Sequence, residues 1–478
     1  MTRHTLILTF CAALAAVAAC PAQTVTPWLT TGDRQHLLER RDAIQFGHFF
    51  PTGAQVEIDA DAPRQTVDGF GFTLTEGSAE ALLSLPKAKR SALLNEIFNP
   101  YIGLGSAVVR IGIGATDLSR HVYSYNDTPG DTQLAHFSLD GPDKRHLLPV
   151  LKEILAINPD IKVLATPWSA PAWMKSPRSN TLDASFYGVY ARYLVKYLQA
   201  MRDNGVRVWA ITPQNEPGNP YNQPSMGMSA TEQLTFINYH LGPALRKAGF
   251  GHVRLICYDH NCDNVAFPVF VSKYSDYVDG AAFHLYAGDI SALGEYHRAT
   301  GKNVYFTEQY TDAGGDFRDD FLWHVREVMI GSMNHYARIA LEWNLASYGD
   351  FTPHTPGGCS RCLGAITCHR QGGVSRNVPY YTVGQFSKFI RPGAERLECR
   401  AEGVHAAAFR NTDGSMALAV LNDRNDDSAT VTVHCGGQRF SYSLPPASAV
   451  TFVWDGVAFA PSFAGPATAL RPSDTSWR

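Results

Sequence analysis

Two glutamates stand directly after short apolar runs, Glu216 in ITPQNEP and Glu308 in YFTEQY. A pair of carboxyl groups can divide the work of hydrolysing a glycosidic bond: one protonates the departing oxygen and the other attacks the anomeric carbon. Such a site also needs hydrogen-bonding groups for sugar hydroxyls and aromatic faces for the apolar side of the ring. Asn215, His284 and Asp117 suit the first need, and Trp168 and Trp343 the second. Arg110, Tyr286 and Asn344 end apolar runs in the same way. Each has a plain structural reading by itself: a strand-end glutamate in a surface ion pair, a rim tryptophan packed on a loop, an arginine paired with a buried acid. Packing alone explains poorly why so many polar and aromatic groups stand at the same end of successive runs.

The elements that must position them are eight short, nearly continuous apolar runs starting at Val67, Ser106, Ile161, Val206, Val253, Tyr277, Asn303 and Ala337. Runs of this kind fit parallel strands buried on both faces. Amphipathic stretches lie between them, from Lys144, Ala184, Thr231 and Phe317; the second meets a helix stop at Gly205. Eight strands alternating with helices over roughly 300 residues predict an α/β fold, a (β/α)8 TIM barrel. A doubly wound sheet is the competitor, but no Gly-rich phosphate loop follows the first strand. In a barrel the working groups gather at the C-terminal ends of the strands, and strands four and seven face each other across its mouth. Glu216 and Glu308 end those two.

The pattern changes after about residue 388. GVHAAAFRN, MALAVLN, ATVTVHC, FSYSL and AVTFVW alternate around turn residues, which predicts an appended C-terminal antiparallel β-sandwich. The stretch AQVEIDADAPRQTV before the barrel is also strand-like and is expected to join it. The domain reading is therefore a signal peptide over 1–22, an N-terminal contribution to the β-domain over 23–66, the catalytic barrel over 67–388, the sandwich over 389–457 and a flexible Pro/Ala/Ser-rich tail over 458–478. A chain of 478 residues is long enough for these units. Its net charge of −3, with both signs interspersed, gives no footprint for a nucleic-acid partner.

Residues 1–22 carry a short basic start and an apolar stretch too short to span a bilayer. Cleavage after Ala22 and lipid modification of Cys20, in the lipobox-like Val17-Ala18-Ala19-Cys20, both fit. Export to the periplasm, the medium or a lipid-anchored surface follows, with no other candidate transmembrane segment. The cysteines beyond the signal are Cys257, Cys262, Cys359, Cys362, Cys368, Cys399 and Cys435, an odd number. In an exported protein Cys359 and Cys362 suggest a disulfide; the alternative is a zinc site with Cys368 and His369. Cys257 and Cys262 invite the same disulfide reading. No G-x-S-x-G elbow is present to support a serine hydrolase.

DGFGFTLTEGSAE, VVRIGIGATDLS with YSYND, ATPWSAPAWMK, ITPQNEP, AAFHLY, YFTEQ and LEWNLA occur in this order, and in these stretches the chain resembles glycoside hydrolase family 30, the glucosylceramidase and β-1,6-glucanase family. The resemblance implies the barrel-plus-sandwich fold, retention of anomeric configuration and no metal or other cofactor. It makes Glu216 the acid/base and Glu308 the nucleophile. Asn215 would bond the sugar 2-hydroxyl, Asp117 and Trp168 the outer hydroxyls, and Trp343 would form the subsite floor. Arg110, His284 and Tyr286 would hold or neighbour the two carboxylates. Retention then expects carboxyl groups about 5–5.5 Å apart, with Glu308 ionised and Glu216 protonated. GGCSRCLGAITC from Gly357, followed by RNVPYY, is more similar to the bacterial β-1,6-glucanase branch. The expected partner is a β-glucan polysaccharide or oligosaccharide, or a glucosyl lipid in the other branch, handled by a monomer. A carbohydrate-binding protein without catalysis is the rival of another class; both carboxylates are present against it.

Overall fold

The computed structural model describes residues 23–456. The expected signal peptide over 1–22 and the tail over 458–478 lie outside the described residues. All eight apolar runs are strands of one closed parallel barrel: β1 (Gly69–Thr73), β2 (Val108–Gly112), β3 (Lys162–Thr166), β4 (Val208–Ile211), β5 (Arg254–Cys262), β6 (Val278–Gly288), β7 (Asn303–Glu308) and β8 (Ala337–Asn344). The strands follow chain order, and β8 closes on β1 in parallel, from Ile339 opposite Gly69 to Asn344 opposite Thr73.

Side chains alternate across each strand, and this sorts the core into two layers. Val109, Val163, Ile211, Ala281 and Phe306 point outward into a cluster shared with the surrounding helices. Their neighbours Val108, Leu164, Ala210, Ala282, Tyr305 and Leu341 meet inside the barrel. Two residues further along each strand, on the same inward face, stand Arg110, Thr166, Thr212, His284, Thr307 and Trp343, all buried. The barrel interior thus passes from an apolar plug to a polar floor within one strand repeat.

The helices follow amphipathic periodicity and local capping. Tyr187–Asp203 ends before Gly205, whose φ of 81° a side chain would resist. Ala230–Phe236 begins on a capping box between Ser229 and Glu232. Two of the predicted helices run on through π-helical segments, Ile237–Leu241 and His324–Gly331.

A second sheet system packs its own core, including Val56, Leu397, Leu418, Val431, Phe440 and Phe452. Glu395–Glu402, His405–Arg410, Met416–Asn422 and Ser448–Trp454 follow one another through antiparallel pairing. The segment before the barrel enters this sheet twice. Thr24–Thr31 pairs with Ser448–Trp454, and Ala54–Thr66 lies between Glu395–Glu402 and Ala429–Cys435. The buried helix Val378–Ser387 joins the two units: Gln385 donates to Thr30 Oγ1 at 2.7 Å and accepts from Thr451 Oγ1 at 2.8 Å.

Cys359 and Cys362 form a disulfide, which removes two ligands from the zinc alternative. The Cys257–Cys262 bridge does not exist; both are free thiols. They lie along β5 and pair with different points of β6, Cys257 with Ala281 and Cys262 with Gly288, so the two thiols do not meet. No helix among the described residues is long and apolar enough to cross a membrane.

Candidate active site

The polar floor is organised by a residue that the sequence reading passed over. In β5, Tyr258 and Asp259 take positive φ values of 73° and 61°, a conformation non-glycine residues rarely adopt. The kink turns the fully buried Asp259 carboxylate into the barrel. Its Oδ2 accepts from Arg110 Nη2 at 3.0 Å, Thr212 Oγ1 at 2.9 Å and Thr166 Oγ1 at 3.3 Å. Its Oδ1 accepts from Thr307 Oγ1 at 2.7 Å and faces His284 Nε2 at 3.0 Å. Burial alone would raise its pKa, but the Arg110 guanidinium and His284 outweigh burial and hold the carboxyl far below the usual range.

Arg110 and His284 carry this anchor to the two glutamates. Arg110 Nη1 donates to Glu308 Oε2, and Nη2 also donates to Asn215 Oδ1 at 2.7 Å. Tyr286 donates its hydroxyl to Glu308 Oε1 at 3.0 Å. His284 Nδ1 lies 3.2 Å from Glu216 Oε1, whose other oxygen accepts from Asn219 Nδ2 at 2.8 Å. Glu216 itself has φ 46°, and its N–H donates to the Asp259 carbonyl at 2.9 Å. The strained turn thereby ties acid-bearing loop and anchor together. An oxygen of Glu216, an oxygen of Glu308 and a ring nitrogen of His284 all lie within 4.8 Å of one another.

The electrostatic balance differs from the expected one. Burial raises Glu308, and the charges of His284 and Arg110 only partly offset it, so its pKa stays above the ordinary value. Glu216 is also buried, but His284 and the Asn219 amide draw it below the ordinary value. Despite burial, Glu308, Asp259 and Glu216 push His284 up to about 9. The two glutamates are thus shifted in opposite directions, Glu308 up and Glu216 down, with His284 between them.

A cavity of about 640 Å³ opens over Glu216 and Glu308, and Asp117, Tyr286 and Trp343 line it as well. Asp117 is buried with Oδ1 unpartnered, and burial with the nearby Glu308 and Glu216 charges pushes its pKa up to about 7. Trp343 stacks on Trp168 with centroids 5.3 Å apart, and Arg110 Cζ lies 4.8 Å from the Trp168 ring. Trp168 is 1 % exposed and sits behind Trp343 instead of lining the cavity. Asn344 faces away, donating to the Cys362 carbonyl at 3.2 Å and accepting from Ser78. The structure thus gathers Glu216, Glu308, Arg110, Asn215, His284 and Tyr286 into one network beside the cavity. His260 was also missed: it lines the cavity, and Gly218 is small because a Cβ there would come 2.6 Å from its ring nitrogen.

Two carboxyl groups facing each other over a polar, aromatic-floored cavity at the C-terminal mouth of a (β/α)8 barrel define a glycoside hydrolase. Residues 67–349 match the glycosyl hydrolase family 30 TIM-barrel domain and residues 393–452 the glycosyl hydrolase family 30 beta sandwich domain. The chain belongs to glycosyl hydrolase family 30 and is a glycoside hydrolase. It is 32 % identical over 434 residues to the endo-1,6-beta-D-glucanase neg1 of Aspergillus fumigatus, covering 83 % of this chain and 87 % of that protein. Among solved structures it is similar to the endo-beta1,6-glucanase BT3312, with a TM-score of 0.84 and 33 % identity over 90 % of this chain and 99 % of that one. It is 26 % identical over 440 residues to the lysosomal acid glucosylceramidase of Mus musculus, covering 84 % of each chain.

Proposed function

We propose that this glycoside hydrolase cleaves β-1,6-linked glucan by double displacement, with Glu308 as nucleophile and Glu216 as acid/base. The observation that carries the mechanism is that one oxygen of Glu216 and one of Glu308 lie within 4.8 Å of each other and of a His284 ring nitrogen, which supports the close spacing of retaining enzymes over the water-wide gap of inverting ones. The relatives named for β-1,6-glucan support the linkage.

Glu308 attacks the anomeric carbon with one oxygen while Arg110 and Tyr286 fix the carboxylate's orientation. The leaving oxygen needs a proton, which His284 supplies to Glu216 across their 3.2 Å contact. As the sugar excludes water, transfer from His284 Nδ1 to Glu216 Oε1 leaves neutral imidazole and a protonated acid. Glu216 then gives that proton to the departing glucosyl oxygen, breaking the glycosidic bond. In the second half Glu216 takes a proton from the water that hydrolyses the glycosyl–Glu308 ester. Asp117, neutral below about pH 7, donates to an outer hydroxyl of the sugar. Asn215 bonds the 2-hydroxyl, and Trp343 supports the ring, backed by Trp168.

The cavity lining favours a sugar over a lipid. Asn219, Asn222, Asn261 and Asp263 belong to it, with Tyr221 standing 86 % exposed; hydroxyl partners and an aromatic platform suit a glucose unit better than an alkyl chain. Glucosylceramide remains the second reading because of the mouse relative. Export is part of the proposal, supported by the N-terminal sequence and the disulfide.

Product analysis on β-1,6-glucan, β-1,3-glucan, xylan, glucosylceramide and an aryl β-glucoside tests the assignment. Oligosaccharides from β-1,6-glucan alone, abolished by Glu308→Gln, are the expected result. Glucose released mainly from glucosylceramide would move the enzyme to the other branch.

A further inference from the structure

The disulfide joins Cys359 to Cys362, three residues apart. A cross-link restrains the unfolded chain less as its loop shortens, so a bridge this local acts chiefly on what surrounds it. Both cysteines line the cavity above Glu216 and Glu308. On one side, the Cys359 N–H points to Asp117 Oδ2 at 3.4 Å, on the carboxyl whose other oxygen has no partner. Gly358 presses on the same residue: a Cβ there would lie 2.4 Å from the Asp117 carbonyl oxygen. On the other side, Cys362 packs with Leu118, Trp168 and Trp343. Its short strand pairs with Thr311–Asp312, just beyond Glu308, and Arg361 Nη2 holds Asp312 at 2.7 Å.

We propose that the Cys359–Cys362 bridge is a positioning clamp for the sugar site: it keeps the Cys359 amide on Asp117 and Cys362 against Trp343, setting productive sugar binding more than fold stability. This rests on the reading that Asp117 and Trp343 hold the nonreducing sugar. A dithiol opens the clamp by thiol–disulfide exchange; its two S–H hydrogens pass to Cys359 and Cys362, and it departs as a cyclic disulfide. Among the described residues Cys257, Cys262, Cys368, Cys399 and Cys435 are already thiols, so the bridge is the reducible target there.

The test compares the full chain as wild type, C359S/C362S, D117A and the triple variant, reading kcat/KM on 4-nitrophenyl β-glucoside, inhibition by glucose, and Tm. Opening the clamp is expected to lower kcat/KM and weaken glucose inhibition about tenfold while Tm moves by less than about 3 °C. In the D117A background the same change should cost less than about twofold, because both act through one contact. Unchanged kcat/KM, an equal loss in the D117A background, or a Tm fall of about 10 °C with sugar affinity intact would overturn the clamp. If C359S/C362S fails to fold, wild type treated with dithiothreitol supplies the open form for the same readings. The broader assignment fails separately: wild type inactive on β-1,6-glucan but active on the aryl glucoside leaves the clamp testable, whereas D117A as active as wild type sinks the sugar-site reading and the clamp with it.

Discussion

Asp259 shows how much of the site depends on a group that does not line the cavity. Arg110, His284 and the hydroxyls of Thr166, Thr212 and Thr307 all converge on its carboxylate. Asp259→Asn would leave Arg110 short of a buried counter-charge, and breaking such a pair costs about 3–5 kcal/mol. Chemical denaturation should show a loss of that order, and the alkaline limb of the pH–rate profile should move to lower pH as His284 loses a partner; an unchanged profile would contradict the anchoring role. Wild-type pH dependence follows from the same residue. The folded pKa of His284, about 9, lies above its ordinary value of 6.5, so its contribution to stability is complete below about pH 6.5 and is lost as pH rises through about 9. Activity should fall over the upper part of that window, because the proton destined for Glu216 is gone. A rate profile flat to pH 10 would refute His284 as the proton's holder. Asp259 was hard to read in the sequence because VRLICYD ends in an ordinary-looking strand-end aspartate; its importance arises from the left-handed turn at Tyr258 and Asp259, which apolar periodicity does not report. The opposed shifts of the two glutamates were illegible for a related reason: they depend on His284 Nδ1 lying 3.2 Å from Glu216 and 3.8 Å from Glu308.

At the scale of elements, the barrel strands were legible because burial on both faces leaves near-continuous apolar runs, and the groups ending β2, β4, β6 and β7 then fell into one site. What the runs do not reveal is which alternate residues face inward. That split puts Leu164 in the apolar plug and Thr166, two residues on, beneath Asp259. Leu164→Ala, at a fully buried position, should destabilise by about 2–5 kcal/mol and also lower kcat, as the cavity loosens the layer supporting the anchor. A calorimetric loss without any kinetic change would show that plug and site are uncoupled. The same geometry explains the Cys257–Cys262 error, since sequence proximity along a strand is distance, not contact.

At the scale of the molecule, the first and last strands among the described residues are zipped together: Thr24–Thr31 runs antiparallel to Ser448–Trp454 through seven residue pairs, from Val25–Trp454 to Thr31–Ser448. The AQVEIDADAPRQTV stretch lies inside the sandwich sheet as well. A chain starting at Val67 would expose both edges and lose core residues such as Val25 and Val56. Such a truncation should aggregate or melt well below the longer chain in a thermal scan; a soluble, equally stable truncation would contradict the shared sheet. Among the described residues, strands from before and after the barrel therefore share one supporting sheet.

The central claim, that Glu308 becomes covalently glycosylated, is tested most directly by trapping. The enzyme is incubated with an activated 2-deoxy-2-fluoro-β-glucoside, digested and analysed by mass spectrometry. The account predicts a fluoroglucosyl adduct on the peptide carrying Glu308, on that side chain, with activity recovering as the ester hydrolyses. An adduct on Glu216, or turnover with inverted product and no adduct, would contradict it.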